Sequence, residues 1–185
     1  VFKDEGGSIV LEEYLQGFEA SLLCFVSGNK IYPFDTAMDY KKIYEGDKGP
    51  NTGGVGAISP NPYWNKDLQA QSEEILDKIE NGLEQEDIGF SGILFIGYLI
   101  QDGEIYVLEF NTRFGDPETE VLLPRLKSDL LDNINQSIDG EKVVLDFEDN
   151  VSMATILTSK GYPKLYDKGY EIKGLEELSD EIIYH

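Results

Sequence analysis

The 185 residues hold one cysteine, one histidine and one tryptophan, and only 15 lysines and arginines against 36 aspartates and glutamates. Each scarcity closes off a class of chemistry. With Cys24 alone, no disulfide can form within the chain and no cysteine-based zinc site can be assembled. A reducing cytoplasm is the setting such usage fits. The single histidine, His185, is the last residue, which removes Ser-His and Cys-His pairs from any internal mechanism. A formal net charge of -21 offers no basic face to replace the counterions of a nucleic-acid backbone. No apolar stretch approaches the length of a membrane span, and no charged-then-apolar signal opens the chain.

What remains is the composition of a globular protein, 41% apolar with 11 tyrosines, long enough for one sizeable core or a core and the start of another. The acidity reads as a solvated surface, and it leaves room for phosphorylated small molecules if a divalent metal and a few placed cations supply positive charge locally. The chain opens with a polar turn, Lys3 to Ser8, without an initiator methionine, and stops at Tyr184-His185 inside an apolar run. Neighbouring sequence is therefore expected on both sides.

Ile9 to Leu15, Ala20 to Val26 and Lys30 to Phe34 read as three strands broken at Gly17 and at Gly28-Asn29. Asp39 to Pro62, rich in glycine and proline, reads as one long loop. From Lys66 to about Gln85, Leu68, Ile75, Leu76, Ile79 and Leu83 share a helical face behind an Asn65 cap. Gly92 to Ile100 and Ile105 to Phe110 form a hairpin through Asp102-Gly103, a type I′ turn pair. Asp116-Pro117 is expected to open a short helix with proline first, and Ser128 to cap another whose Leu130, Leu131, Ile134 and Ile138 form the buried stripe. Short strands come after Gly140, with a domain boundary near Asn150. There is no internal repeat.

Three stretches carry chemistry. In Val107-Leu108-Glu109-Phe110-Asn111-Thr112-Arg113-Phe114-Gly115-Asp116-Pro117-Glu118, strand alternation puts Glu109 and Asn111 on one face, a carboxylate and an amide oxygen roughly 7 Å apart that can converge on a hard cation. Arg113 and Asp116 come within a turn of them, which raises this above an ordinary solvated strand end. Asp47-Lys48-Gly49-Pro50-Asn51-Thr52-Gly53-Gly54-Val55-Gly56 lets backbone amides approach an anion, although it lacks the Gly-Lys-Ser/Thr of a Walker loop. Asp39, Lys41 and Lys42 just before it read equally as surface charges. Glu12 to Glu19 is an apolar strand that breaks at Gly17, able to meet an adenine edge through its backbone and ribose hydroxyls through a carboxylate.

In this order and at these separations, Ile9 to Ser21, Gly46 to Pro60 and Val107 to Arg125, with Lys127-Ser128-Asp129-Leu130 after them, resemble the ATP-grasp superfamily and, within it, the phosphoribosylamine-glycine ligases. The resemblance covers nearly the whole chain. It implies an α+β fold, an ATP-grasp core of antiparallel sheet with flanking helices over residues 1–150, incomplete on its N-terminal side, and the start of a small β-rich C-terminal domain over 151–185. It implies ATP-driven joining of glycine to 5-phosphoribosylamine, with Mg²⁺ or Mn²⁺ as cofactor, ATP as co-substrate, no nucleic acid or membrane partner, and the rest of a longer chain completing the site. Carried over by position, Glu109 and Asn111 would be the metal ligands. Glu12, Tyr14 and Leu15 would line the adenine hinge, with Glu19 on the ribose. Asp39, Asn51, Thr52, Gly53, Arg113, Asp116 and Glu118 would form the substrate pocket, Arg113 and Asp116 taking the catalytic roles.

The chain departs from the family in two places. Met38-Asp39-Tyr40-Lys41-Lys42 stands where relatives read Gln-Asp-His-Lys-Arg, which leaves Tyr40 and Lys42 without assigned roles. Gly97 stands where many other ATP-grasp enzymes carry a metal-binding aspartate, as expected for this ligase. The competing readings are another ATP-grasp ligase, against which Asn51-Thr52-Gly53-Gly54 and the Arg113 to Glu118 string weigh, and a non-catalytic nucleotide-binding relative, against which the intact Glu109-Asn111-Arg113 cluster weighs.

Overall fold

Along the chain run β1 (Phe18–Ser27), β2 (Lys30–Asp39), β3 (Lys42–Tyr44), β4 (Lys48–Asn51), β5 (Gly56–Ser59), α1 (Lys66–Gln85), β6 (Gly92–Gln101), β7 (Glu104–Asn111), α2 (Thr119–Leu122), α3 (Leu130–Ile138) and β8 (Ser152–Thr155). These come from a computed structural model that describes residues 9–184, so the expected turn at Lys3 to Ser8 and His185 lie outside the described residues. Six strands form one antiparallel sheet in the order β7-β6-β1-β2-β5-β8, and β3 and β4 form a separate hairpin.

The central strands β1 and β6 are largely apolar because both of their faces are covered. Ala20, Leu22, Cys24 and Val26 of β1, with Leu94, Ile96, Tyr98 and Ile100 of β6, pack beneath Leu68 and Leu76 of α1. The alternate residues, Leu23, Phe25 and Phe95, face the other way and meet Val121 and Leu122 of α2 and the half-buried Leu130 and Ile134 of α3. Asn65 caps α1, its side chain accepting from the amides of Asp67 and Leu68, and the expected helix is found over its full expected span. Asp102 and Gly103 take positive φ values of 54° and 85°, the type I′ geometry read from their sequence. Gly17 must lack a side chain, since a Cβ there would collide with the Ile100 carbonyl.

One irregularity sets which way the end of β7 faces. On the β6-β7 ladder Gly97 faces Glu109 while Tyr98 faces Val107, so Leu108 is an extra residue bulged out of register. β7 is an edge strand, and Tyr106, Leu108 and Phe110 along it are exposed.

Several local expectations are corrected. Ile9 to Leu15 forms no strand; no described strand lies beside it, and Ile9, Val10, Leu11 and Tyr14 are exposed. Asp39 to Pro62 is not one loop, because Tyr40 and Val55 bond the backbones of Gly56 and Tyr40 and bring in β5 opposite β2. Its three- and four-residue strands are too short to leave a periodic signal. Pro117 precedes the helix, which begins at Thr119. Asp129, not Ser128, caps α3, accepting from the amides of Leu131 and Asp132, while the Ser128 hydroxyl donates to Asn133. The α3 stripe is rotated as well: Leu131 and Ile138 are exposed, and Asn133 and Ser137 are buried instead, donating to the carbonyls of Val144 and Val26. After Gly140, among the described residues, only β8 is a strand, paired with β5.

Candidate functional site

Alternation along β1 puts Glu19 and Ser21 on the same face as Leu23, the face covered by α2. Asp39 shares that face, lying opposite Ala57 two residues beyond Ala37. Across the sheet, Ser21 faces Gly97 and Gly97 faces Glu109, while Leu23 faces Phe95 and Phe95 faces Asn111. Side chains from β1, β2 and β7 therefore meet on one face, and Gly97 leaves the rung between Ser21 and Glu109 open. A Cβ at Gly97 would lie 3.1 Å from Glu109 Cγ.

Glu109 and Asn111 are together as expected, the Asn111 amide donating to Glu109 Oε1 at 3.1 Å. Among the described residues no group of three His, Cys, Asp or Glu side chains is arranged to hold a metal. The pair nevertheless suits Mg²⁺ or Mn²⁺: both side chains offer hard oxygens once the Asn111 amide turns over, and such ions complete their shell with phosphate and water.

The second cluster centres on a residue that the sequence left among surface charges. Lys41 is half-buried, its ammonium 2.6 Å from Glu19 Oε2 and 3.1 Å from Asp39 Oδ1. The i, i+2 spacing of Asp39 and Lys41 was the available signal. Glu118 is 2% exposed and accepts from the Ser21 hydroxyl at 2.7 Å. Ser21 was also missed, since a serine inside an apolar run reads as core.

Glu19, Asp39, Lys41 and Asn51 line a cleft of about 850 Å³ with Gln16, Lys42, Tyr44 and Gly103, and Tyr63, its ring tilted against Phe18 at 5.0 Å between centroids, forms part of its wall. Of the expected hinge residues, Tyr14 lines a shallower hollow beside it with Gln16, Gln101 and Asp102, while Glu12 is exposed and Leu15 half-buried.

The glycine-rich loop is held from within. The Thr52 hydroxyl donates to the Lys41 carbonyl at 2.8 Å and accepts from the Gly54 amide at 3.0 Å, so it braces the loop. Gly54, at φ 120°, packs against Pro117 so closely that a Cβ would overlap the proline ring. Asn51 to Gly54 and Asp116 to Glu118 are thus adjacent. Asp116 is exposed, and Arg113 is exposed with Nη1 donating to the Phe114 carbonyl.

Burial pushes the Asp39 carboxyl up to about 6; the Lys41 ammonium opposes the rise and the Glu118 and Glu19 carboxylates add to it. For Lys41 burial acts downward, but the hydrogen bond to Glu19 and the charge of Asp39 outweigh it and hold the ammonium at about 12. An unfolded aspartate titrates near ~3.9. The folded state therefore holds the Asp39 proton more tightly, and the stabilisation this gives is complete below about pH 4 and lost as pH rises through 6. Asp39→Asn should gain stability relative to the wild type over that window, by on the order of 2 kcal/mol. Melting temperatures of both proteins between pH 4.5 and 7.5 test this, and parallel curves would refute it.

The chain is similar to proteins of one known family. The family description phosphoribosylglycinamide synthetase, ATP-grasp (A) domain, matches residues 1–119. The phosphoribosylamine–glycine ligase of Clostridium acetobutylicum is 46% identical over 185 residues, an alignment covering 98% of this chain and 44% of that protein. The ligase of the same name from Caldanaerobacter subterraneus is 45% identical, with 100% of this chain and 45% of that protein covered. The crystal structure of phosphoribosylamine–glycine ligase from Thermotoga maritima superposes with a TM-score of 0.77 at 33% identity, over 85% of this chain and 40% of that one. The chain thus spans less than half the length of the relatives it matches.

Proposed function

The chain belongs to the phosphoribosylglycinamide synthetase family through its ATP-grasp domain, and from that membership we propose that the full-length protein joins glycine to 5-phosphoribosylamine, giving glycinamide ribonucleotide, ADP and phosphate, in de novo purine synthesis. The glycine carboxylate attacks the γ-phosphate of ATP and releases ADP; the ribosylamine nitrogen then attacks the carbonyl of the glycyl phosphate and expels phosphate. The observation that carries this reading is the meeting of three sequence-distant segments, Glu19 to Ser21, Asp39 to Gly54 and Glu109 to Glu118, on one face of the sheet.

Phosphoryl transfer of this kind calls for positioning and charge neutralisation rather than a protein nucleophile. That suits a site whose described residues are carboxylates, amides, Lys41 and Arg113. Glu109 and Asn111 would hold Mg²⁺ or Mn²⁺, which supplies charge neutralisation for the phosphates. Glu19 accepts from ribose hydroxyls, and Glu12, Tyr14 and Leu15 border the adenine. Asp39, Asn51, Thr52, Gly53, Arg113, Asp116 and Glu118 surround the substrates and their phosphates, with Arg113 and Asp116 orienting the reacting groups and Thr52 acting through the loop it braces.

We assign residues 1–150 to an ATP-grasp domain, incomplete on its N-terminal side, and 151–185 to the start of a C-terminal domain. The assignment is supported by the irregular chain after β8, where Leu157, Leu165, Tyr170 and Ile172 are exposed. β8 itself crosses that line by pairing with β5. A cytoplasmic location belongs to the same reading and is supported by the lone, buried Cys24; no helix among the described residues is long and apolar enough to cross a membrane.

ADP release by the full-length protein is expected to need Mg²⁺, glycine and phosphoribosylamine together, and to fall to background when any one is omitted. The 185-residue chain alone is expected to release none, since among the described residues nothing stands opposite the exposed Glu12 and Tyr14 to close a nucleotide in. ADP release with another acid or amine in place of these substrates would overturn the assignment.

A further inference from the structure

Resting on the ligase reading, we propose that the hydroxyl of Tyr162 is a further substrate-binding group, donating a hydrogen bond to a phosphate oxygen of the phosphoribosyl substrate at the glycine-rich loop. The Gly53 amide, the loop N–H that the sequence offers to an anion, donates to Tyr162 Oη at 3.0 Å. A phenol that accepts such a bond keeps its own proton for donation. Among the described residues no protein atom accepts that proton. The amide's polarity is therefore passed to a half-exposed hydroxyl whose proton is left for solvent or a bound ligand to accept.

That donor bonds Gly53, a residue of the pocket given above to the substrates and their phosphates. Asn51 lines the cleft with Glu19 and Lys41, whereas neither Gly53 nor Tyr162 does. Gly54, next in the loop, lies against Pro117 beside Asp116. The Tyr162 hydroxyl thus meets the loop at Gly53, one residue before the Gly54–Pro117 contact beside Asp116.

Its ring is held for the task. Tyr162 meets Tyr166 edge to face at 5.5 Å, and its amide closes the turn onto the Ser159 carbonyl at 3.2 Å. A hydrogen bond to phosphate from a ring already fixed costs little ordering on binding, and its loss is felt in affinity. In the sequence, Gly161 to Pro163 reads only as a turn between strands, because nothing in a Gly-Tyr-Pro string says which distant loop the tyrosine will reach.

The test is Tyr162→Phe in the full-length protein, which keeps the ring and removes one oxygen. KM for phosphoribosylamine is expected to rise about tenfold, the loss of one hydrogen bond to a charged group, with KM for ATP and glycine, kcat and melting temperature unchanged. Tyr162→Ala should raise the same KM at least as far. A rise in KM for ATP instead would give the tyrosine to the nucleotide, and a lower melting temperature with every KM unchanged would leave it a structural brace; either result overturns the proposal. If the wild-type protein shows no ADP release dependent on glycine and phosphoribosylamine, the parent reading fails, whereas a dependent wild type with an indistinguishable Tyr162→Phe fails this inference alone.

Discussion

Arg125→Ala is expected to cost about 3 kcal/mol of stability, the usual scale for removing one partner of a buried ion pair. Arg125 is 4% exposed and sits in the 3₁₀ turn, Leu123–Arg125, that comes directly after α2. Its Nη1 lies 2.7 Å from Asp35 Oδ2 and donates to Ser59 Oγ at 2.7 Å; Nη2 donates to the Glu148 carbonyl and Nε to the Asn150 carbonyl. The guanidinium also lies over the Phe147 ring, 5.8 Å from its centroid. One side chain thus ties β2, β5 and the segment leading into β8. Truncation removes the donor from all of these acceptors, of which Ser59 is fully buried. At ~2–4 °C per kcal/mol for a domain of this size, the melting temperature should fall by roughly 6–12 °C. Arg125→Lys should recover only part of that, because an ammonium cannot reproduce the planar fork. A fall below about 2 °C in thermal unfolding would show that the network contributes little.

For Glu109→Ala the large effect is on turnover instead. Glu109 is exposed on the edge strand and its described hydrogen bond is to Asn111, so stability should stay within ~0.5 kcal/mol of the wild type. On the proposed reading it supplies the one charged protein oxygen to the metal. Its loss should lower kcat/KM by on the order of 10²–10³, the scale for removing one group that stabilises developing charge. Glu109→Gln, which keeps an oxygen without the charge, should fall between, and both variants should need more Mg²⁺ for half-maximal rate. ADP release within threefold of the wild type at unchanged Mg²⁺ dependence would take the metal site away from this pair.

The legibility of this molecule in its sequence depended on length scale. α1 was visible because five apolar residues recur on one helical face behind Asn65, and the β6-β7 hairpin because Asp102-Gly103 has few other uses. β3, β4 and β5 were not visible, since each gains its ladder from a partner rather than from its own three or four residues. The α3 face was misread because hydropathy cannot foresee that Asn133 and Ser137 will find the Val144 and Val26 carbonyls and be worth burying. At the site, the adjacency of Glu109 and Asn111 was readable from alternation alone. The Glu19-Lys41-Asp39 cluster and the Ser21-Glu118 contact were not, because each joins strands or loops whose register no local pattern specifies.

The bulge at Leu108 fixes more than local twist. Counted outward from the turn at Asp102-Gly103 in strict one-to-one pairing, position 109 would fall opposite Ile96 and turn toward α1, into the oily layer, and position 111 would turn with it. The extra residue inverts the parity of everything beyond it. Whether this strand carries a polar site or buries two uncompensated polar groups is therefore decided by the bulge as much as by its chemistry. Removing Leu108 itself would take out the odd residue and leave Glu109 opposite Gly97 in unbroken register, so the facing of the site would survive. Holding all eight residues of β7 in flat one-to-one pairing would lose it, even though every motif letter is retained.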